Sequence, residues 1–443
     1  MKILFLHRNF PAQFRHLASE LATDPANQVV FITTRKDGQL PGVQKYLYQV
    51  TRNVSPQTHR YVRSLEEAVC DGQAAWRTAH QLKTQQGFEP DLVYAHAGWG
   101  PGLFMPDLFP KARYLGFFEW YYHAHGTDAD FDPAEPMLED DEARIRIKNS
   151  PILLELAQCK GGVVPTYWQK QQFPPEFDAK LHVLHDGIDV SFFQPQPGAK
   201  LVLPPVKSEV PPQKVETRGQ GFGSKAVKAE PPLTSTEKIQ QAFHAKGLDL
   251  SAATEVVTYV SRGMEPYRGF PQFMEAVSLL QQARSHCHVV IVGEDRVAYG
   301  KQLPDSQTFR EKALNELALD HSRLHFTGPL PYSQLRQVYQ ASSVHIYLTR
   351  PFVLSWSMLE AMACGCVVLG SQTSPVEEVI TDGVDGFLVD FWNPGKIAAK
   401  TGELLDNQAE LGEVRQQARE TILERYDLAK LLPQHIAFLN GLS

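Results

Sequence analysis

The chain has 443 residues, of which 43% are hydrophobic and 21% charged, and its formal net charge is −7. This length allows two or three domains, and the composition is that of an ordinary globular protein. The acidic balance argues against a general nucleic-acid-binding protein, and no apolar run approaches the roughly 18 residues that span a bilayer. We therefore expect no nucleic acid partner, no transmembrane segment and at most weak contact with a membrane surface.

The N-terminal run and the cysteines indicate a cytoplasmic protein. The apolar run that begins at Met1 stops at His7 and Arg8, too early for a signal peptide, so we interpret it as a first strand. The cysteines are odd in number and scattered, and none forms a CxxC pair. Reduced, buried thiols are the expected state.

In the first half of the chain, short apolar runs alternate with stretches of helical periodicity. We predict strands at residues 2–7, 29–33, 92–95, 114–118, 162–165 and 181–184. We predict helices at residues 14–21, 65–84 and 140–156. Strands and helices that alternate in this way favour a parallel sheet with right-handed crossovers.

The second half repeats this alternation. We predict strands at residues 256–260, 289–292, 324–327, 345–347, 367–369 and 387–389. We predict helices at residues 269–282, 309–318, 332–340, 357–363 and 397–406. The fold class is therefore α/β, with a second parallel sheet.

Between the halves, residues 194–237 are rich in Pro, Lys, Glu, Gly and Ser and poor in large apolar groups. Such a segment buries too little surface to offset its ordering entropy, so we predict a flexible insertion; a docking segment for a partner is the alternative. The domain prediction has four parts. A first domain spans residues 1–193, a connection 194–250, a second domain 251–425 and a terminal helix 426–443.

Residues 352–371 are the most informative part of the chain. They predict a loop, a short helix that ends at Gly365, and a buried strand. Ser355 and Ser357 lie at the helix start, where unpaired backbone N–H groups favour an anion or a hydroxyl-rich ligand. Glu360 follows on a helix that begins at the carboxyl end of a strand, the edge where open α/β sheets bind ligands. An ordinary surface helix with a solvated carboxylate is the alternative.

Residues 359–365, 374–380 and 382–389 together resemble the donor-binding signature of family-4 retaining glycosyltransferases of the GT-B fold. The resemblance implies two Rossmann-like domains whose parallel sheets face a central cleft, with the nucleotide-sugar donor on the second domain and the acceptor on the first. It also implies that Glu360 binds the ribose of the donor, and that the terminal helix packs back on the first domain.

The turn after the first strand of the second half carries two cations, Arg262 and Arg268, on the ligand-binding edge. A departing diphosphate carries about two charges, which a metal ion or Arg and Lys groups can stabilise. The turn, which includes Gly263, resembles the diphosphate clamp of the family, with Arg268 in place of the usual Lys. We therefore expect no metal and no cofactor. Two solvated loop arginines are the alternative.

Two further loops of the second half follow predicted strands, and by resemblance they form the wall of the nucleotide-base site. One contains Gly293, and the other contains Thr327. We expect backbone groups of these loops to contact the donor.

The main departure from the family concerns the donor sugar. Relatives often carry a glutamate eight positions before the ribose-binding one, where this chain has Phe352; a second alignment places Arg350 there. In either case the carboxylate is missing, and Ser355, Ser357 and backbone N–H groups are expected to do more of the sugar binding.

The first half contributes polar and aromatic groups that follow predicted strands. Gln13 lies in an Asn-Phe-Pro-Ala-Gln loop, where it can hydrogen-bond a hydroxyl; a plain helix start is the alternative. His96 and Trp99 follow one strand, and Glu119 and Tyr121 follow another. Ring faces beside polar tips suit carbohydrate. We place Glu119 among the catalytic groups and the other four residues on the acceptor side.

Residues 123–130 leave a metal site open as an alternative. His123, His125 and Asp128 are loosely spaced ligands, and Asp128 with Asp130 resembles the metal-binding pair of GT-A transferases. The simplest interpretation is an acidic run, residues 128–142, that caps the following helix.

We predict a metal-independent, retaining glycosyltransferase of the hexosyltransferase type. Its acceptor would be a glycan, a lipid-linked sugar or a small molecule. The leaving phosphate would help to take the proton of the acceptor while Arg262 and Arg268 stabilise it. The missing carboxylate leaves open a sugar-nucleotide-binding protein without turnover. A nucleotide-dependent epimerase on this fold lacks a distinct acidic pair in the sequence.

Overall fold

The computed structural model describes residues 1–205 and 246–441, so residues 206–237 of the predicted insertion lie outside the described residues. The described residues form two α/β domains, each built on one parallel sheet. Apolar clusters lie on both faces of each sheet, as expected where crossover helices cover both sides.

In the first domain, the strand order within the described residues is β3-β2-β1-β4-β5-β6-β7, and all pairs are parallel. The strands are β1 (Lys2–Leu6), β2 (Gln28–Thr33), β3 (Val43–Leu47), β4 (Leu92–His96), β5 (Arg113–Phe117), β6 (Gly161–Val164) and β7 (Leu181–Val183). The helices are α1 (Arg15–Leu21), α2 (Arg63–Gln86), α3 (Met105–Leu108), α4 (Glu139–Lys148), α5 (Ser150–Gln158) and α6 (Tyr167–Lys170).

The connection and the second domain follow the same principle. A short antiparallel pair, β8 (Val202–Leu203) and β9 (Leu248–Asp249), flanks the part of the chain that is not described. The order of the second sheet in the described residues is β12-β11-β10-β13-β14-β15, all parallel. Its strands are β10 (Glu255–Gly263), β11 (Cys287–Glu294), β12 (Leu324–Gly328), β13 (Val344–Tyr347), β14 (Val368–Ser371) and β15 (Phe387–Val389).

The helices of the second domain lie between and after these strands. They are α7 (Phe270–Ala283), α8 (Phe309–Glu316), α9 (Tyr332–Gln340), α10 (Trp356–Ala363), α11 (Ser374–Glu377), α12 (Pro394–Asp406) and α13 (Gly412–Arg425). A last helix, α14 (Leu428–Gly441), follows α13. None of the helices in the described residues has both the length and the hydropathy of a membrane span.

Two chain crossings join the domains side by side. The segment after β7 pairs with the segment before α14: the Ile188 amide donates to the Tyr426 carbonyl at 2.8 Å, and the Leu428 amide donates to the Ile188 carbonyl at 3.0 Å. Helix α14 then packs on the first domain, where Leu431 and Leu439 lie in the apolar cluster of β1. The last helix of the chain is therefore part of the first domain in space.

The prediction of two parallel α/β domains is confirmed, and two local predictions were wrong. Strand β3 was missed because it is an edge strand whose side chains are largely exposed, so it lacks the apolar run of a buried strand. The single helix predicted at residues 140–156 is two helices. Pro151 opens the second of them, and the Asn149 side chain bonds both backbone groups of Tyr122 at the break, donating to the carbonyl at 2.8 Å.

Candidate functional site

The carboxyl ends of both sheets meet in one cleft. His96 ends β4, Glu119 follows β5, and Arg262 lies near the end of β10. Contacts across the cleft bring these ends together: the Trp168 indole of the first domain donates to the Phe352 carbonyl of the second at 3.2 Å. Strand-end residues separated by more than a hundred positions thus share one site.

Glu119 is the carboxylate on the first-domain side of this cleft. Its Oε1 accepts a hydrogen bond from the Gln13 amide at 3.1 Å, and its Oε2 lies 3.5 Å from Nε2 of His96. The Gln169 side chain holds its backbone by donating to the carbonyl oxygen at 2.6 Å. The predicted residues Gln13, His96 and Glu119 therefore form one connected group.

Charges from both domains act on Glu119. Burial alone would raise the pKa of this carboxyl, but the adjacent His96 ring, together with the positive charges of Arg262 and Arg268, brings the pKa below its ordinary value. Glu119 is therefore ionised at neutral pH and faces both arginines across the cleft.

Aromatic rings in edge-to-face contact extend the site along the first domain. His96 lies 4.4 Å from the ring of His7 and 5.4 Å from that of Trp99. The Arg8 guanidinium sits 5.8 Å from the Trp99 ring, and its side chain is 44% exposed. His7 and Arg8 were missed by sequence reasoning because they were taken as the end of a strand, yet a strand end is where such groups reach the cleft.

Arg268 is built into the second domain. It is 7% exposed, and its Nη1 donates to Thr349 Oγ1 at 2.7 Å, to the Val353 carbonyl at 3.0 Å and to the Tyr347 hydroxyl at 3.3 Å. A solvated loop arginine would not be ordered in this way. Arg262, in contrast, is exposed, and its positive charge acts on the Tyr299 hydroxyl.

The loop that carries Tyr299 is fixed by Glu265 and Gly263. The fully buried Glu265 carboxylate accepts hydrogen bonds from the backbone amides of Ala298 and, at 2.7 Å, Tyr299. A Cβ atom at Gly263 would lie 2.6 Å from the carbonyl oxygen of Arg296, so only glycine lets the loop approach this closely. The predicted donor contact of Gly263 stays a prediction.

Glu360 lines a cavity of about 220 Å³ between the domains. Its Oε2 accepts from the Tyr339 hydroxyl at 3.0 Å, and burial raises the pKa of the carboxyl to about 7 despite that bond and the charge of Arg15. Arg15 crosses from the first domain and lies 4.9 Å from the Tyr332 ring. The cavity wall comes from both domains and from the crossing after β7, and includes Gln13, Arg15, Asp186, Tyr332, Trp356 and Glu360.

Ser355 caps the start of α10, and Ser357 lies in the first turn of that helix. Ser355 Oγ accepts from the Ser357 amide at 3.4 Å, and the two hydroxyls lie 3.0 Å apart. The Ser355 amide donates to the Tyr347 hydroxyl at 2.9 Å, so the loop is tied to the same tyrosine that accepts from Arg268. Sugar binding by these serines stays a prediction.

Phe352, at the position of the missing carboxylate, is 6% exposed. Its ring lies 5.0 Å from Trp120, 5.2 Å from Tyr299 and 5.4 Å from Tyr267. Arg350, the residue of the second alignment, donates to Asp132 of the first domain at 2.6 Å. Neither side chain offers a free carboxylate to a sugar.

Three predicted residues lie apart from these groups. Tyr121 packs 5.7 Å from Phe173 and 5.5 Å from His123, partly buried against the apolar core of the first domain. The Thr327 side chain is fully buried in the sheet, where its hydroxyl donates to the Gly328 carbonyl at 2.8 Å. Gly293 has a φ of 143°, and a Cβ there would lie 2.0 Å from the Ser261 carbonyl oxygen, so it serves close strand approach. Their contacts with ligand stay predictions, and for Thr327 and Gly293 they would have to come from the backbone.

The residues of the alternative metal site have other partners. His123 Nε2 lies 2.7 Å from the Gln172 carbonyl, and His125 Nε2 lies 2.8 Å from Oε1 of Glu142. The Asp128 carboxylate accepts from the Tyr267 hydroxyl at 2.8 Å. In residues 1–205 and 246–441, no three or more His, Cys, Asp or Glu side chains are grouped so that they could hold a metal ion.

Asp186 is a further carboxylate of the cleft that sequence reasoning missed. It is 9% exposed and lines the cavity of Glu360. Burial raises its pKa to about 7, although its own backbone amide, the charge of His435 and a hydrogen bond from Trp356 oppose the rise. Its signal was its place two residues after the strand predicted at 181–184, similar to the strand-end position that identified Glu119.

A buried carboxyl below the cleft gives the first testable prediction. Glu155 is fully buried, accepts from the Tyr114 hydroxyl at 2.6 Å and from the Gly98 amide, and so holds the turn that carries Trp99. Burial raises its pKa from 4.5 to about 7. Because the folded state binds this proton more tightly than the unfolded state, the contribution to stability is full below pH 4.5 and is lost as pH rises to about 7.

The free energy of unfolding of the wild-type protein should therefore fall between pH 5 and pH 8, and we expect Glu155→Gln to make that fall smaller by about 1–3 kcal/mol. The measurement is the free energy of unfolding in urea at both pH values. Glu176→Gln, an exposed carboxyl of the same domain, is the control and should leave the wild-type difference unchanged. An equal pH dependence in wild type and Glu155→Gln would contradict the prediction.

Two parallel-sheet α/β domains whose carboxyl edges face one cleft constitute the GT-B fold. The chain superimposes along its whole length on solved GT-B structures. Anabaena HepE in complex with UDP-glucose matches with a TM-score of 0.64 at 15% identity, covering 100% of both chains. Sucrose-phosphate synthase from Thermosynechococcus elongatus matches with a TM-score of 0.64 at 14% identity, covering 100% of this chain and 99% of the other.

Sequence comparison identifies the two domains. Residues 25–193 match the family model of the glycosyl transferase family 4 group, and residues 241–421 match that of glycosyl transferases group 1. The chain is thus a GT-B protein assembled from two glycosyltransferase domains.

Curated relatives match over a smaller region. The D-inositol 3-phosphate glycosyltransferase of Acidothermus cellulolyticus is 29% identical over 156 residues, 34% of this chain and 33% of the relative. The enzyme of the same name from Corynebacterium glutamicum is 27% identical over 164 residues, 36% of this chain and 37% of the relative. The chain thus spans only about a third of the length of these relatives.

Proposed function

We propose that this protein transfers a sugar from a nucleotide-sugar to an acceptor, with retention of configuration and without a metal ion. The observation that carries the proposal is the arrangement of charge in the cleft. The positive charges of Arg262 and Arg268 of the second domain act on the ionised Glu119 of the first. Gln13, which donates to Glu119, also lines the cavity of Glu360. UDP and UDP-glucose bound to the structural neighbour HepE support a nucleotide-sugar as donor.

The nucleoside would occupy the cavity lined by Glu360. The buried carboxylate of Glu360, oriented by the Tyr339 hydroxyl, would accept hydrogen bonds from two neighbouring ribose hydroxyls. Because the cavity wall includes Arg15 and Tyr332 from different domains, a bound nucleoside would contact both domains at once.

The diphosphate would lie beside Arg268 and Arg262. Arg268 is held by three acceptors through Nη1 alone, which fixes the direction of the rest of its guanidinium. A preorganised cation costs no reorientation when charge develops on the leaving group, so it acts mainly in the transition state. The start of α10 adds backbone N–H groups to this side of the cleft.

Transfer would proceed on one face of the sugar. The bond from the anomeric carbon to the diphosphate oxygen breaks, the acceptor oxygen bonds to that carbon from the same face, and its proton passes to the departing phosphate oxygen. Glu119, ionised at the cleft, stabilises positive charge that develops on the sugar ring. Gln13, His96 and Trp99 beside it form the acceptor side, with the Trp99 ring as a surface for a sugar.

The proposal predicts that EDTA leaves transfer nearly unchanged. The assay is release of nucleotide from UDP-, GDP- and ADP-sugars in the presence of mixed glycan and small-molecule acceptors, with and without chelator. The expected result is equal rates, because the arginines neutralise the leaving group. Loss of activity with EDTA and rescue by Mn²⁺ would overturn the metal-free mechanism.

A second candidate, a sugar-nucleotide-binding protein without turnover, is favoured by one observation. The position of the missing carboxylate is filled by the packed ring of Phe352. A donor that binds but is neither hydrolysed nor transferred to any acceptor would select this candidate.

A further inference from the structure

One loop of the first domain contacts the proposed donor-binding side of the second domain. Residues 118–138, which follow β5 and are called the clasp loop below, carry Asp128, Phe131, Asp132 and Glu135. The Phe131 ring packs 5.1 Å from Phe391, and each of the three acidic side chains meets a partner in the second domain. The clasp loop is therefore a contact between domains rather than a cap on α4.

Two of these contacts are made with a pair of spatially adjacent residues of the second domain, Tyr267 and Arg350. Asp132 accepts from Arg350 at 2.6 Å, in an ion pair whose side chains are 16% and 4% exposed. Asp128 accepts from the Tyr267 hydroxyl at 2.8 Å. Arg350 and Tyr267 also hold each other: the Arg350 amide donates to the Tyr267 carbonyl at 3.0 Å, and its guanidinium lies 4.9 Å from the Tyr267 ring.

The pair of Tyr267 and Arg350 is adjacent to the groups assigned to donor binding. Tyr267 precedes Arg268 in the chain, and its ring packs 5.4 Å from Phe352. Arg350 follows Thr349, whose hydroxyl accepts from Arg268. A shift of Arg350 or Tyr267 would thus move Arg268 or its acceptors.

We infer that Asp132 and Asp128 of the clasp loop are positioning residues. Through their contacts with Arg350 and Tyr267, they hold Arg268 and its acceptors in the geometry that binds diphosphate. These contacts form only when the two domains are closed. The inference rests on the proposed function and adds the reason for the departure at the donor loop. In the second alignment, the position of the expected sugar-binding carboxylate is Arg350, a buried arginine whose carboxylate partner, Asp132, belongs to the other domain.

The physical consequence is coupling between closure and donor binding. The apparent affinity of a ligand that needs the closed state is proportional to the fraction of molecules that are closed, and it falls when that fraction falls. The buried Asp132–Arg350 pair favours closure because opening would leave both charges without their partner. Loss of either charge therefore lowers the closed fraction and the apparent affinity together.

The test is a double-mutant cycle of Asp132→Asn and Arg350→Gln, with UDP as the probe. Each single variant should weaken UDP binding about tenfold and raise the KM for the donor more than it lowers kcat. The double variant should be no weaker than the singles, and Asp132→Glu should recover part of the loss. Lys301→Ala is the matched control, since its pair with Glu135 in the same loop is exposed and spans 3.5 Å.

Small-angle scattering without nucleotide gives a second readout. The radius of gyration should rise in Asp132→Asn and Arg350→Gln and stay at the wild-type value in Lys301→Ala. Single variants with wild-type UDP affinity and wild-type scattering, or effects that multiply in the double variant, would overturn the inference. A wild-type protein that binds no nucleotide would instead count against the proposed function, and scattering would still test the clasp.

Discussion

Replacing Arg268 by alanine is expected to lower kcat by about 10²–10³-fold with a smaller rise in KM. The reason is that charge on the leaving diphosphate grows in the transition state, so a fixed cation stabilises that state more than the bound donor. Arg268→Lys should recover part of the rate, because the charge returns while the three bonds from Nη1 do not. The measurement is steady-state release of nucleotide at varied donor concentration.

The control separates catalysis from folding. Arg268 is buried, so its loss also leaves acceptors such as Thr349 without a donor, and the melting temperature of each variant must be compared with wild type. Arg77→Ala removes an exposed arginine of α2 and should change neither rate nor stability. A folded Arg268→Ala protein with wild-type kcat would remove this residue from the reaction.

Glu360→Ala is expected to weaken UDP binding by about one to two orders of magnitude. The buried carboxylate is the acceptor assigned to the ribose hydroxyls, and its pKa of about 7 in the free protein adds a pH dependence. Because the ionised form accepts more strongly, wild-type affinity should rise between pH 6 and pH 8 as the carboxyl loses its proton. Glu360→Gln should bind weakly at both pH values and lose that rise.

The matched control is Glu377→Ala, which removes an exposed carboxylate of α11 in the same domain. It should leave UDP affinity and its pH dependence unchanged. The measurement is the UDP affinity of the three variants and of the wild type, by calorimetric titration at pH 6 and pH 8. Wild-type affinity in Glu360→Ala would take Glu360 out of the nucleotide site.

The architecture was predictable because it depends on local signals. Apolar runs such as that of β1, alternating with helical periodicity, require two buried parallel sheets whichever residues fill them. Among the strands of the two parallel sheets that the structure describes, β3 alone was missed, since a partly exposed edge strand has no such run. Strand ends then indicate the ligand edge, so Glu119, His96 and Arg262 were correctly expected to lie at strand ends.

Side-chain direction and contacts between domains were not predictable in this way. Tyr121 lies two positions after Glu119, so strand alternation would place both side chains on one side, yet the Tyr121 ring packs against Phe173. Asp128 and Asp132 belong to an acidic run that in the sequence looks like a helix cap. Their partners, Tyr267 and Arg350, lie more than a hundred positions away. No local pattern encodes such a pairing.

The central claim is that this cleft binds a nucleotide-sugar through Glu360 and Arg268. The most direct measurement is a thermal-shift screen of UDP-, GDP- and ADP-sugars with EDTA present, in wild type, Glu360→Ala and Arg268→Ala. We expect one nucleotide series to raise the melting temperature of the wild-type protein, and we expect a smaller rise in both variants. No shift with any series, or an equal shift in all three proteins, would contradict the central claim.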